Sequence, residues 1–137
     1  MRKTLEFILL FAALLLTGSR LCAQPKGYDV FSPISKYIVQ ADAGSLSRWF
    51  ADNLEVSVLS DETDASREQA RQIVKAFFEN YTPRSFNLTH TAGRANMKYA
   101  LGTLNAGGEM FLVTIFVCSK GDEGYRIQQF KVERMMM

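Results

Sequence analysis

Cysteine is scarce here: the 137-residue sequence holds only Cys22 and Cys118. Histidine occurs once, as His90. With no second histidine, no cysteine pair and no carboxylate cluster beside it, the sequence offers no metal-ligand set. No cofactor motif stands out either. The longest apolar run, from Phe7 to Leu16, is about half the ~20 residues that a membrane-spanning helix needs. No charge of one sign dominates. The 16 basic and 14 acidic residues are scattered, whereas nucleic-acid binding calls for a clustered basic surface. Internal repeats, low-complexity tracts and interdomain linkers are absent as well, so one small domain is expected.

The leader is the clearest positive signal. Arg2 and Lys3 form a basic n-region, the Phe7 to Leu16 run has the length of an h-region, and Thr17, Gly18 and Ser19 break it. Ala23 provides the small residue a signal peptidase needs, which puts cleavage between Ala23 and Gln24. Residues 1–23 are therefore read as a signal peptide and 24–137 as a single α+β domain, periplasmic or secreted. Lipidation at Cys22 is disfavoured because Arg20 and Leu21 precede it where small residues belong. Cleavage removes Arg2, Lys3, Arg20 and Glu6, leaving 13 basic and 13 acidic residues and no net charge. It also leaves Cys118 alone, so no intramolecular disulfide can form and the domain depends on its apolar core.

Along the mature chain, Val30, Ile34, Tyr37, Ile38 and Ala41 recur at helical spacing. They predict a helix from about Asp29 to Ala43, ended by Gly44. A short second helix capped by Ser45 buries Leu46, Trp49 and Phe50, and Asp52-Asn53 turns the chain. Leu54, Val56 and Val58 alternate with polar residues and predict a strand; Ser60 to Ala65 reads as an acidic loop. Ser66 and Gln69 make a capping box for a third helix. There Ala70, Ile73, Val74, Phe77, Phe78 and Tyr81 form one stripe, and Thr82-Pro83 stops it. Four strands follow, at about Ser85 to Thr91, Met97 to Leu104, Glu109 to Ser119 and Tyr125 to Glu133. Their short loops predict an antiparallel meander.

Certain segments carry a resemblance. They are Asp42-Ala43-Gly44, Trp49-Phe50, Gln69-Ala70 through Phe77-Phe78, Ser85-Phe86, His90-Thr91-Ala92-Gly93, Tyr99-Ala100-Leu101-Gly102 and Gln128-Gln129-Phe130. In this order the chain resembles the nuclear transport factor 2-like superfamily. More narrowly, it is similar to a family of small secreted proteins of unknown function from Bacteroidetes-type bacteria. The resemblance implies a cystatin-like α+β fold of order α-α-β-α-β-β-β-β, with a curved antiparallel sheet wrapped around helices as a cone. It implies no particular activity, because that superfamily holds enzymes, binding modules and assembly domains.

Loop lengths set the expected register. Ala92 is placed opposite Met97, His90 opposite Tyr99 and Leu88 opposite Leu101. Met110, Leu112, Thr114, Phe116, Tyr125, Ile127 and Gln129 are expected on that same face. Its apolar lining with a few polar groups is what a small-molecule pocket requires. The candidate pocket residues are Tyr37, Trp49, Phe77, His90, Tyr99, Thr114 and Gln129. The opposite face, with Phe111, Val113, Ile115, Phe130 and Val132, is the candidate oligomer surface.

Three functions stay open. One is a non-catalytic binding module for an apolar or amphipathic ligand or a protein. Another is a dehydratase or isomerase with His90 as base and Tyr99 as donor, Asp42 being the other conceivable base. The third is a homo-oligomerisation domain, most simply a homodimer. For Trp49, Phe77, Phe78 and Tyr81, helical spacing favours core packing over ligand contact.

Overall fold

The computed structural model describes residues 29–119, 121 and 124–135. The leader, its cleavage bond and Cys22 lie outside the described residues. Backbone contacts divide the chain between Val30 and Phe31, and the elements below all belong to residues 31–137. They are α1 (Phe31–Val39), α2 (Ala43–Ser47), β1 (Phe50–Val58), β2 (Asp61–Ser66), α3 (Arg67–Asn80), β3 (Pro83–Gly93), β4 (Met97–Ala106), β5 (Glu109–Ser119) and β6 (Tyr125–Arg134). The expected order holds, with β2 as an addition.

The two short helices meet more tightly than expected. Helix α1 ends at Val39 rather than near Ala43. Ala41 takes a left-handed conformation at φ 56°. The Asp42 N–H then donates to the Tyr37 carbonyl and the Ala41 N–H to the Ile38 carbonyl, the paired closure of a Schellman motif. Asp42, not Ser45, caps α2, its carboxylate accepting the Ser45 N–H at 3.0 Å. Gly44 therefore lies inside α2 and terminates nothing. In α3 the Ser66 hydroxyl accepts the Gln69 N–H, as its capping sequence requires. Ala70, Val74, Phe77 and Phe78 are buried along its stripe.

The strands form one curved, unclosed sheet in the order β2-β1-β6-β5-β4-β3. Neighbours are antiparallel except β1 and β6, which run parallel. The sheet is thus mixed, since β1 and β6 are far apart in sequence and no hairpin dictates their direction. Two further local readings change. Asp52-Asn53 is no turn but part of an irregularity in β1, where pairing jumps from Phe50↔Ile127 to Glu55↔Gln129. Asp52 stays exposed and pairs with Arg67 at 2.9 Å. Most of the expected Ser60 to Ala65 loop instead forms β2, with Ser66 as its last residue, because β1 provides a partner along its whole length. A two-residue turn at Leu59 and Ser60 makes the hairpin.

One face of the sheet forms the core. Ala100, Leu104, Ala106, Phe111, Val113, Ile115, Val117, Ile127, Phe130 and Val132 are all buried on it. Helix α3 lands there: the Phe77 and Tyr81 rings each stand edge-on to Phe111 with centroids 5.2 Å apart. Phe50 contacts Phe130 at 6.3 Å. Burial of this set is the main stabilising term, at roughly 1.5–3 kcal/mol for each large apolar side chain.

Candidate functional site

Four of the side chains proposed as a pocket, His90, Tyr99, Thr114 and Gln129, do share a face, but it is the outer one. In β3 and β4, His90 pairs with Leu101 and Ala92 with Tyr99. The offset from the expected register is two residues, which preserves the face. His90 and Tyr99 are therefore diagonal neighbours rather than directly opposed. Their rings lie 5.8 Å apart, and Tyr99 Oη is 3.4 Å from His90 Nε2. Across the next two strands, Phe116 pairs with Tyr99 and with Gln129, and Thr114 with Leu101 and Lys131.

Tyr37, Trp49 and Phe77 do not join them. Phe77 is buried on the core side against Phe111. Trp49 is half-buried beside β1, where its carbonyl accepts the Ile127 N–H. Tyr37 is half-exposed on α1. Ile127 was expected beside Gln129, yet it is fully buried in the core. The cause is an irregularity between Phe116 and Val117 that sets Gln128 aside and turns Ile127 inward.

The candidate oligomer face is corrected outright. Phe111, Val113 and Ile115 have no exposure, and Phe130 and Val132 about 1%. They are the core, sealed within the chain by α3. The face left open instead carries Met97 and Tyr99, 39% and 37% exposed, beside half-exposed Leu101, Met110, Leu112 and Phe116. Lys131 and Glu133 form an ion pair on it at 3.3 Å.

As chemistry, the His90–Tyr99 pair is poor in support. Both side chains are exposed. Among the described residues no carboxylate partners either ring, and their exposure denies them the enclosure that a general base requires of its surroundings. Asp42 is committed to capping. Its carboxyl is held below the usual range by the Ser45 backbone N–H first and the Ser45 hydroxyl next, a poor setting for a base. Among the described residues no group of three or more potential metal ligands converges.

The family now follows from the sequence itself. A model of a domain of unknown function, DUF4783, matches residues 31–133. The chain belongs to this family. Solved DUF4783 structures share its fold. One from Bacteroides uniformis superimposes with a TM-score of 0.74 at 22% identity, covering 80% of this chain and all of that one. One from Bacteroides ovatus gives 0.72 at 20% identity, covering 77% and 96%. A putative dehydratase of the NTF2-like family from Streptomyces avermitilis gives 0.60 at 14%, covering 76% and 89%. These likenesses place this DUF4783 domain in the NTF2-like, cystatin-like fold. No curated protein matches the sequence.

Proposed function

We propose that this DUF4783 domain is a non-catalytic, exported binding module whose working surface is the outer face of β4, β5 and β6. One observation carries the reading. The core is complete within the chain, yet a second apolar panel of Met97, Tyr99, Leu101, Leu112 and Phe116 remains half-exposed beside it. An open panel of that kind marks an interaction surface. The partner we assign is a second copy. At the centre of the panel Lys131 and Glu133 pair with each other, Arg126 stands at its margin in the row of Met97 and Cys118, and a twofold axis makes the contact self-complementary.

The test is sedimentation of residues 24–137 over a range of about 10 μM to about 1 mM, which spans weak interfaces. Wild-type protein is expected to dimerise, and Phe116→Glu and Tyr99→Glu to stay monomeric while folded. A wild-type monomer at the highest concentration overturns the assignment. Export rests on the basic n-region, the Phe7 to Leu16 run and Ala23. Mass spectrometry of the protein from its native host is expected to find a mature N-terminus at Gln24.

The enzymatic reading has one observation in its favour, the approach of His90 to Tyr99 at 3.4 Å. It predicts a substrate whose turnover collapses in His90→Ala. We rank it second because the pair stands on an open surface.

A further inference from the structure

A separate site lies on the other side of the sheet. Between the β1–β2 hairpin and the flank of α3 runs an open groove of about 720 Å³, within the range that holds a small organic molecule. Its helix wall is apolar: Ile73, Ala76, Phe77 and Tyr81, with the Asn80 amide at one end. Ile73 and Tyr81 belong to the stripe of α3, yet both remain half-exposed: each lines the groove, and Tyr81 also touches the core at Phe111. The hairpin wall is Val58 and Leu59, then Asp61, Glu62 and Thr63.

Two further features mark this wall. Leu59 and Ser60 take φ of 51° and 83°, left-handed values that glycine or asparagine adopts more readily. The Leu59 N–H donates to the Val132 carbonyl at 3.0 Å, which anchors the turn to β6. Strained backbone of this kind tends to occur at binding sites. The second feature is charge. Among the described residues Asp61 and Glu62 enter no ion pair, and no basic side chain lines the groove. The bases that stand near Glu62 on the outer side, Lys131 and Arg134, are engaged: Lys131 pairs with Glu133 at 3.3 Å, and Arg134 donates to the Tyr81 hydroxyl at 2.7 Å and to Glu109 at 3.3 Å. Asp61 pairs in register with Val58, whose row is that of core residue Val132, so it stands on the helix side. Glu62 pairs with Ser57 in the outer row and adds its field from the rim.

We propose that this groove binds a small organic cation, an ammonium or guanidinium carried on an apolar body. The apolar body would lie along Ile73, Ala76 and Phe77, and the charge would sit at Asp61. The complementarity decides the class: an anion meets the Asp61 carboxylate with no basic side chain on the groove's lining to offset it, and an uncharged apolar molecule leaves Asp61 unused. A bare metal ion is disfavoured because adjacent strand residues point to opposite faces, so Asp61 and Glu62 cannot close on one ion.

The probe is tryptamine, titrated into residues 24–137 and followed by amide chemical shifts, with indole-3-propionate as the anionic control of similar shape. Tryptamine is expected to shift Leu59, Ile73, Ala76 and Asn80, and indole-3-propionate to leave them in place. Asp61→Asn should weaken tryptamine at least about fivefold, and raising salt to about 0.5 M should weaken it further, as screening of an exposed charge requires. Ala76→Arg, at an exposed position, fills the groove with a cation and should abolish binding with no loss of fold. Phe116→Glu should bind tryptamine as the wild type does, which separates this site from the outer face. No shift up to about 10 mM, the weak limit for a specific fragment, overturns the proposal. Equal response to the anionic control, or to Asp61→Asn, does so as well.

Discussion

Gly102 and Phe86 show how one residue makes room for another. Gly102 lies on the core face of β4, and a Cβ placed there would stand 2.4 Å from Phe86 Cζ. The ring of Phe86 on the edge strand β3 can cover the sheet only because Gly102 has no side chain. Gly102→Val is therefore expected to destabilise by about 1–3 kcal/mol, the usual range for an overpacked core. Phe86→Ala in the same chain should recover part of that loss. Urea unfolding of the single and double variants checks the coupling. A fully additive result would show that the ring and the glycine are independent. His90 and Tyr99 belong to the same scale. Their meeting was legible from alternation alone, because a two-residue change of register leaves both on one face.

At the level of elements, the α1–α2 junction concentrates its chemistry in two neighbouring residues. Ala41 occupies the left-handed position at φ 56°, where an L residue with a Cβ costs about 1–2 kcal/mol. Ala41→Gly is expected to raise stability by about 1 kcal/mol, read as a higher urea midpoint with an unchanged slope. The closure was not legible because its residue is alanine; Gly44 attracted the assignment instead.

Asp42 gives a pH signature. Its folded carboxyl is depressed by the Ser45 N–H and hydroxyl, so the charged form stabilises the fold. That stabilisation is present above the ordinary value of 3.8 and is lost as pH falls through the lower folded value. Asp42→Asn, which keeps a capping oxygen but no charge, should be less stable than wild type near pH 7. The gap should narrow as pH falls below 3.8 and the wild-type carboxyl gains its proton. A gap that stays constant in urea midpoints above and below that value would deny the charge any role. Strand β2 taught a similar lesson. Thr63 and Ala65 alternate with Glu62 and Asp64, a weak strand signal, and only pairing with β1 makes it a strand.

For the whole molecule, the decisive fact is which face of the sheet α3 covers. Ile115 and Thr114 are consecutive residues of β5 on opposite faces, the first fully buried and the second half-exposed. Ile115→Asp is expected to cost more than about 3 kcal/mol by placing a charge in the core, enough to unfold a marginal domain. Thr114→Asp should leave the fold intact and weaken only the pairing of two copies. Circular dichroism melts of the two variants separate the outcomes; similar melts would mean that the faces are not as distinct as burial shows.

The sequence by itself determined the helix stripe of α3, the four-stranded meander and, except where bulges beside Leu88 and Ile127 shift the alternation, the division of its residues into two sets. These follow from periods of 3.6 and 2, which are local properties of the backbone. It did not determine which set lies inside, because both are apolar: Phe111, Val113 and Ile115 on one side, Leu101, Leu112 and Phe116 on the other. Tertiary structure decided this through the landing of Phe77 and Tyr81 on Phe111, a contact between a helix and a strand some thirty residues further along the chain. The groove beside Asp61 was decided in the same way. It exists only where the β1–β2 hairpin, anchored to β6, stands against α3, and no spacing within the sequence encodes that meeting.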